Sequence, residues 1–301
     1  MQNNQKSILF TLSAVLLWST VATAFKFTLQ GMNNIQLLFY SSITSTVVLF
    51  LIILFNKSNE IKNLFSKKHI IYNSLLGFTN PFLYYLVLFK AYSLLPAQEA
   101  MPLNYFWPVT ISLFASLFLG QKLLPKNILG MLVAFFGIIV ISTKGNLLSL
   151  EFHNLYGVTL AFGSSFIWAA FWTLNLKDKR NEITKLFSAF FFGTIFITIY
   201  ILIFDSIFLD NYSFLFGAVY IGLFEMSITF FLWLKGLQLS SNKSKTATLV
   251  YLSPFLSMIF IALVLGEDIK MYSIIGFVLI LSGILIQHLI VKNGKIKFSL
   301  K

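Results

Sequence analysis

Apolar residues run through this chain in long blocks instead of alternating with polar ones at a strand or surface-helix period. Blocks near the roughly 20 residues that cross a hydrocarbon core lie at about 8–29, 34–55, 70–95, 98–119, 127–143, 157–176, 186–208, 213–237, 246–265 and 271–291. They predict an all-α polytopic membrane protein with ten transmembrane helices, because a helix satisfies its own backbone where no water can. The joining stretches are short, the longest near 56–69 and 144–156. No room is left for a soluble catalytic or nucleic-acid-binding domain.

Prolines interrupt several blocks. In "LNYFWPVTISLFASLFLGQK", residues 103–122, Pro108 deletes one backbone hydrogen bond and crowds the carbonyl four residues back. Lipid tolerates that only where other groups take up the freed carbonyl. Pro81, Pro102, Pro108 and Pro254 are therefore predicted as hinges, with simple packing kinks as the alternative.

Composition narrows the class further. With 57% hydrophobic and 11% charged residues and a mean hydropathy of +0.83, the chain is not a soluble globule. The net charge of +12 reads as topology and not as nucleic-acid binding. With the amino terminus in the cytoplasm, only Lys26, Lys90, Lys144 and Lys270 of the 22 basic side chains fall on the far side. The expected setting is a bacterial cytoplasmic (inner) membrane, crossed many times, with both termini cytoplasmic. Lys6, the apolar stretch from Ile8 and Ala22-Thr23-Ala24 imitate a cleavable signal peptide, but the repeat described next argues that the first span is kept.

Zero cysteines exclude disulfides and thiol chemistry, and His69, His153 and His288 are too scattered to suggest a ligand cluster. Neither phosphate-cradling glycine motif occurs. No catalytic residue, metal or cofactor is expected. The expected partners are a small-molecule solute and the lipid bilayer, with no nucleic acid, and the protein acts as a monomer or homodimer.

A shift of 146 residues carries Tyr105, Pro108, Gly120, Gly130 and Gly137 onto Tyr251, Pro254, Gly266, Gly276 and Gly283. Trp18 falls on Trp168 at a shift of 150. The chain therefore divides into a first five-helix repeat (1–143), a connecting loop outside the cytoplasm (144–156) and a second five-helix repeat with a short cytoplasmic tail (157–301). Five crossings are odd, so the second repeat enters from the opposite side, an architecture that places a solute site near mid-membrane between the repeats.

Within that frame Asn80 aligns with Glu225, both near the centres of their spans. An acid in mid-bilayer costs several kcal/mol unless it is protonated, paired or facing water, so Glu225 is a candidate for solute binding and for proton or charge coupling. A neutral acid serving only packing is the bland alternative. Lys26, a turn inside the first helix, either reaches the headgroups or offers a cation to the solute. Lys90 and Lys235 are expected at the headgroups, and Glu99 as a solvated acid at a helix amino terminus. Trp18, Trp107 and Trp168, with Tyr84, Asn104 and Tyr251, complete the predicted binding set, a mixed aromatic and polar lining. Gly130, Gly137, Gly276 and Gly283 are predicted as helix-packing positions.

The ten spans, the duplicated halves and the Pro-x11-Gly spacing at 108–120 and 254–266 resemble the drug/metabolite transporter superfamily, in its EamA-type ten-helix branch. "LLWSTVATAFK" (16–26) and "PAQEAMPLNYFWP" (96–108) are similar to amino-acid or metabolite exporters, and Asn104-Tyr105-Phe106-Trp107-Pro108 resembles a motif of the aromatic amino-acid exporter group. The resemblance implies inverted repeats around a central cavity that opens alternately to each side. The first half departs from it, reading Gly120-Gln121 where the second reads Gly266-Glu267. The function expected is secondary transport of a small organic metabolite, with amino acids, aromatic ones included, as the first candidates for export. Export of drugs or nucleotide-related metabolites is the alternative, followed by a ligand-binding membrane subunit that moves nothing; the scattered acids speak against an enzyme.

Overall fold

The computed structural model describes residues 2–55, 67–120, 124–147, 154–178, 180–240, 246, 248–292 and 295–298. Its helices are α1 (Gln2–Thr28), α2 (Asn34–Phe55), α3 (Lys67–Gly77), α4 (Tyr84–Leu94), α5 (Ala97–Asn104), α6 (Trp107–Leu119) and α7 (Pro125–Ser142). They continue as α8 (Leu155–Lys177), α9 (Glu182–Phe204), α10 (Leu215–Phe224), α11 (Ile228–Leu239), α12 (Ser253–Leu265) and α13 (Met271–His288). A short antiparallel hairpin, Leu289–Lys292 with Lys295–Phe298, follows the last helix. Asparagines start several helices: Asn154 Oδ1 accepts from Gly157 N at 2.8 Å and Asn181 Oδ1 from Ile183 N at 3.0 Å. Each satisfies an amide that the helix itself leaves unpaired.

The polarity is that of a protein solvated by hydrocarbon. Phe55 and Phe216 are 84% and 82% exposed, while Ser41, Ser42, Ser45, Thr110, Ser164 and Ser165 are fully buried. Many buried hydroxyls bond back to a carbonyl of their own helix, as Ser41 Oγ does to Leu37 O at 2.7 Å and Ser188 Oγ to Thr184 O at 2.7 Å. Among the described residues, six helical segments are long and apolar enough to cross a membrane: Asn4–Thr28, Asn34–Phe55, Pro125–Ser142, Leu155–Asn175, Ile183–Phe204 and Tyr212–Leu239. Ser253–Leu265 and Met271–Ile286 are shorter apolar helices.

The remaining predicted blocks are broken. The block at about 70–95 divides at a π-helical turn, Phe78–Leu83, where Asn80 is extended (φ −150°, ψ 124°), the conformation that a following proline favours. The block at about 98–119 divides between Asn104 and Trp107. This changes the meaning of its proline: Pro108 occupies the first turn of α6, where its missing N–H interrupts nothing. Pro254 holds the matching place in α12, after a 3-10 turn at Thr248–Leu252, and Pro102 lies inside α5.

Packing partners interchange between the two parts of the chain. α1 packs on α11 and α12, and α8 on α4 and α6; α2 packs on α10, and α9 on α3; α2 meets α9, and α7 meets α13. α6 and α12 each end at a glycine in the left-handed region, Gly120 (φ 67°) and Gly266 (φ 65°), a conformation that side chains resist. α7 and α13 approach most closely at Gly137, where an added Cβ lands 2.4 Å from Gly276 O, and at Gly283, where one lands 2.3 Å from Gly130 O.

Candidate functional site

The site is built on a third break, inside the segment Tyr212–Leu239. α10 stops at Phe224 and α11 starts at Ile228, so the helical hydrogen-bond ladder is interrupted between them. Side-chain hydroxyls take up carbonyls at the break. Ser227 Oγ donates to Gly222 O at 2.6 Å, Thr229 Oγ1 donates to Phe224 O, and Ser45 Oγ of α2 donates to Met226 O at 2.9 Å. Glu225 sits at this break, half-buried, and lines a cavity of about 340 Å³. Tyr85 Oη donates to its Oε1 at 3.0 Å.

All five tryptophans of the chain, Trp18, Trp107, Trp168, Trp172 and Trp233, line that same cavity. The rings of Trp18, Trp168, Trp172 and Trp233 join through Phe230 and one another into a connected wall. Trp18 lies 5.5 Å from both Trp233 and Phe230 between centroids, Trp168 lies 4.6 Å from Tyr84 and 5.8 Å from Trp172. Asn104 adds a polar edge, donating from Nδ2 to Ser164 Oγ at 2.8 Å. Apolar and aromatic walls with a few fixed polar groups are the usual make-up of a small-molecule site.

One end of the cavity is latched by polar groups. α1, α4 and α5 reach it through Phe25, Tyr92 and Met101, and just beyond them Lys26 Nζ donates to Tyr92 O at 2.9 Å and Leu95 O at 2.7 Å. A cation there suits the carboxyl end of α4. Glu267 does the converse, accepting from Ala97 N at 3.1 Å and Gln98 N at 3.2 Å, the first amides of α5. Gln98 Nε2 also donates to Asp268 O at 2.9 Å. Glu99 is buried, 4% exposed, and accepts from Tyr272 Oη at 3.1 Å with Lys144 Nζ 4.0 Å away. The expectation of a solvated Glu99 is therefore corrected: the stretch after Gly266 folds back over the start of α5 and covers it.

Replacing Glu267 by Ala removes both amide contacts, and charge-assisted bonds of this kind contribute about 1.5–3 kcal/mol each. Because the native chain has no cysteine, a Cys placed at Met101 is a single reporter. We expect the Glu267→Ala exchange to speed its reaction with a water-soluble thiol reagent by roughly ten-fold or more. An unchanged labelling rate would show that Glu267 does not hold this end shut.

A second polar cluster lies between α8 and α9. Arg180 donates to Asp178 from Nη2 at 2.6 Å and from Nε at 3.0 and 3.1 Å, and its Nη2 also reaches Asn73 Oδ1 at 2.6 Å. Burial pushes the Asp178 acid up, but the Arg180 hydrogen bonds and charge outweigh it and hold the group below its ordinary value of 3.8. A carboxylate held low in the folded state stabilises the protein above its unfolded value, and that contribution disappears as pH falls through the lowered one. Below about pH 4 the thermal midpoint of the native protein should therefore fall faster than that of Asp178→Asn, measured in parallel scans.

Of the predicted binding residues, the structure brings Trp18, Tyr84, Asn104, Trp107, Trp168 and Glu225 to one cavity. Asn80 is fully buried elsewhere, its amide atoms without a hydrogen-bond partner among the described residues, beside Pro81, which abuts Gly193 of α9. The side chain of Tyr251 lies outside the described residues. Lys26 holds backbone carbonyls and does not line the cavity. Sequence reasoning missed Trp172, Trp233, Phe230 and Tyr105. Trp172 was within reach, one helical turn after Trp168.

A polytopic helical membrane protein that keeps its tryptophans around an internal chamber belongs among proteins that handle small solutes within the bilayer. The chain matches the EamA-like transporter family over residues 5–143 and 155–287, and it belongs to that family. It is 25% identical over 203 residues to the uncharacterized transporter YvbV of Bacillus subtilis (strain 168), covering 63% of this chain and 62% of that protein. It is 30% identical over 185 residues to the aromatic amino acid exporter YddG of Escherichia coli (strain K12), covering 59% of this chain and 61% of that protein. Each of these matches thus spans less than two thirds of the relative's own length. A protein of known crystal structure shares the fold with a TM-score of 0.65 at 20% identity, over 94% of this chain and 96% of its own.

Proposed function

We propose that this EamA-family transporter is a secondary exporter of a small aromatic metabolite, with aromatic amino acids as the first class to test. One observation carries the reading: every tryptophan and one acid, Glu225, converge on a single solute-sized cavity. Residues 1–143 and 157–301 act as oppositely oriented five-helix repeats, joined by 144–156, and rocking between them exposes the cavity to each side in turn. The breaks at Asn80–Pro81 and Glu225–Ser227 supply pivots. The protein works in a bacterial cytoplasmic membrane with both termini inside and performs no catalysis. The name of the relative YddG supports the solute class.

Proteoliposomes preloaded with labelled tryptophan or phenylalanine test this. Release should be saturable and faster than from protein-free vesicles, and Trp168→Ala should slow it by about ten-fold, the worth of one stacking face. Release no faster than from empty vesicles, across a panel of aromatic solutes, would remove the proposal.

A further inference from the structure

Resting on that transport reading, we infer that the cavity recognises its solute by an ammonium group carried on an aromatic body and provides no cation for a carboxylate. Among the described residues that line it, Glu225 is the one charged side chain. Lys26, which follows the lining residue Phe25, is already bonded to Tyr92 O and Leu95 O and is not part of the lining. Tyr85 donates to Glu225 Oε1, and among the described residues no hydrogen bond reaches Oε2. That oxygen is the natural acceptor for a solute N–H.

The tryptophans point to the same chemistry. A cation within about 6 Å of an aromatic face is attracted by the ring quadrupole, most strongly by indole. Trp18, Trp168 and Trp172 lie 5.5, 6.1 and 6.4 Å from Phe230 between centroids, and Trp233 lies 5.5 Å from Trp18; these rings share the cavity lining with Glu225, so an ammonium held there is enclosed by aromatic groups. An anion meets the opposite situation. It loses its water, faces those same quadrupoles, and stands in the field of Glu225 without a neutralising charge.

The consequence is a ranking within one ring type. An amine or an amide of an amino acid gives Glu225 a cation and brings no anion, a zwitterionic amino acid brings both charges, and an aromatic acid brings the anion alone. Direct binding of phenethylamine, phenylalaninamide, phenylalanine and 3-phenylpropanoate to the purified full-length protein in micelles at neutral pH reads this out. We expect the first two to bind at least about ten-fold more tightly than phenylalanine, and 3-phenylpropanoate to bind most weakly. In Glu225→Gln the spread should shrink to within about three-fold. Phenylalanine or 3-phenylpropanoate binding the native protein as tightly as phenethylamine overturns the inference and leaves the transport proposal standing. If none of the four binds, the transport proposal fails and the inference fails with it. The native ranking decides the matter even where the variant does not fold.

Discussion

Glu225→Gln is expected to lower the initial rate of solute flux by about 10- to 100-fold while leaving the thermal midpoint of the purified protein unchanged or slightly raised. Gln has nearly the shape of Glu, and Tyr85 Oη, which donates to Oε1 at 3.0 Å, can donate equally to an amide oxygen. The hydroxyls of Ser227, Thr229 and Ser45 that hold the helix break do not touch the side chain, so the break persists. What disappears is the charge, together with any proton the group carries. A hydrogen bond to a charged group contributes roughly 1.5–3 kcal/mol, which sets the size of the flux loss. Taking an ionisable group out of an apolar interior also relieves a desolvation cost, which is why stability is not expected to drop. Flux in proteoliposomes and thermal unfolding, measured on the same preparation, separate the two effects. Full flux in the variant would show that the acid serves packing alone. If the flux falls but its pH profile keeps its shape, Glu225 binds solute without coupling a proton.

Gly137→Leu should be the more damaging change to the fold. A Cβ at Gly137 lies 2.4 Å from Gly276 O and 3.0 Å from Ile280 N, and both obstacles are backbone of the facing helix, which cannot swing aside as a side chain can. Overpacking of this kind costs about 1–3 kcal/mol and at times more, and here the larger residue must push α7 and α13 apart along their whole contact. The expected result is a thermal midpoint lower by several degrees, with loss of monodisperse protein on size exclusion. Gly163→Ala in α8 is the matched control. A Cβ there meets nothing within 4 Å, and replacing a mid-helix glycine by alanine stabilises by about 1 kcal/mol. Equal midpoints for the two variants would show that the α7–α13 approach is not a stabilising contact.

The amino-acid sequence alone determined the class of protein and the outline of its helices. Partition into hydrocarbon depends on each residue and its near neighbours, so blocks such as 34–55 and 186–208 correspond to α2 and α9 within a few residues. The 146-residue echo was equally local, and Gly120 and Gly266 end their helices in the same left-handed conformation. The lining of the cavity was not local. Helices that are apolar on every side carry no stripe to say which face turns inward, because lipid and protein interior accept the same side chains. Their rotation is set by close approaches such as Gly137 to Gly276 and Gly222 to Ser41, which join residues far apart in the chain.

Tertiary structure alone therefore decided which residues share the chamber. Asn80 and Glu225 hold equivalent positions in sequence, yet only Glu225 lines the cavity, while the proline turn after Asn80 packs against Gly193. Tertiary structure also brought in Trp172 and Trp233, and it bound Lys26 and Glu99 into the latch instead of leaving them to solvent or solute. Hydropathy reports how strongly a residue avoids water; which neighbour it meets instead depends on the packing of the whole bundle.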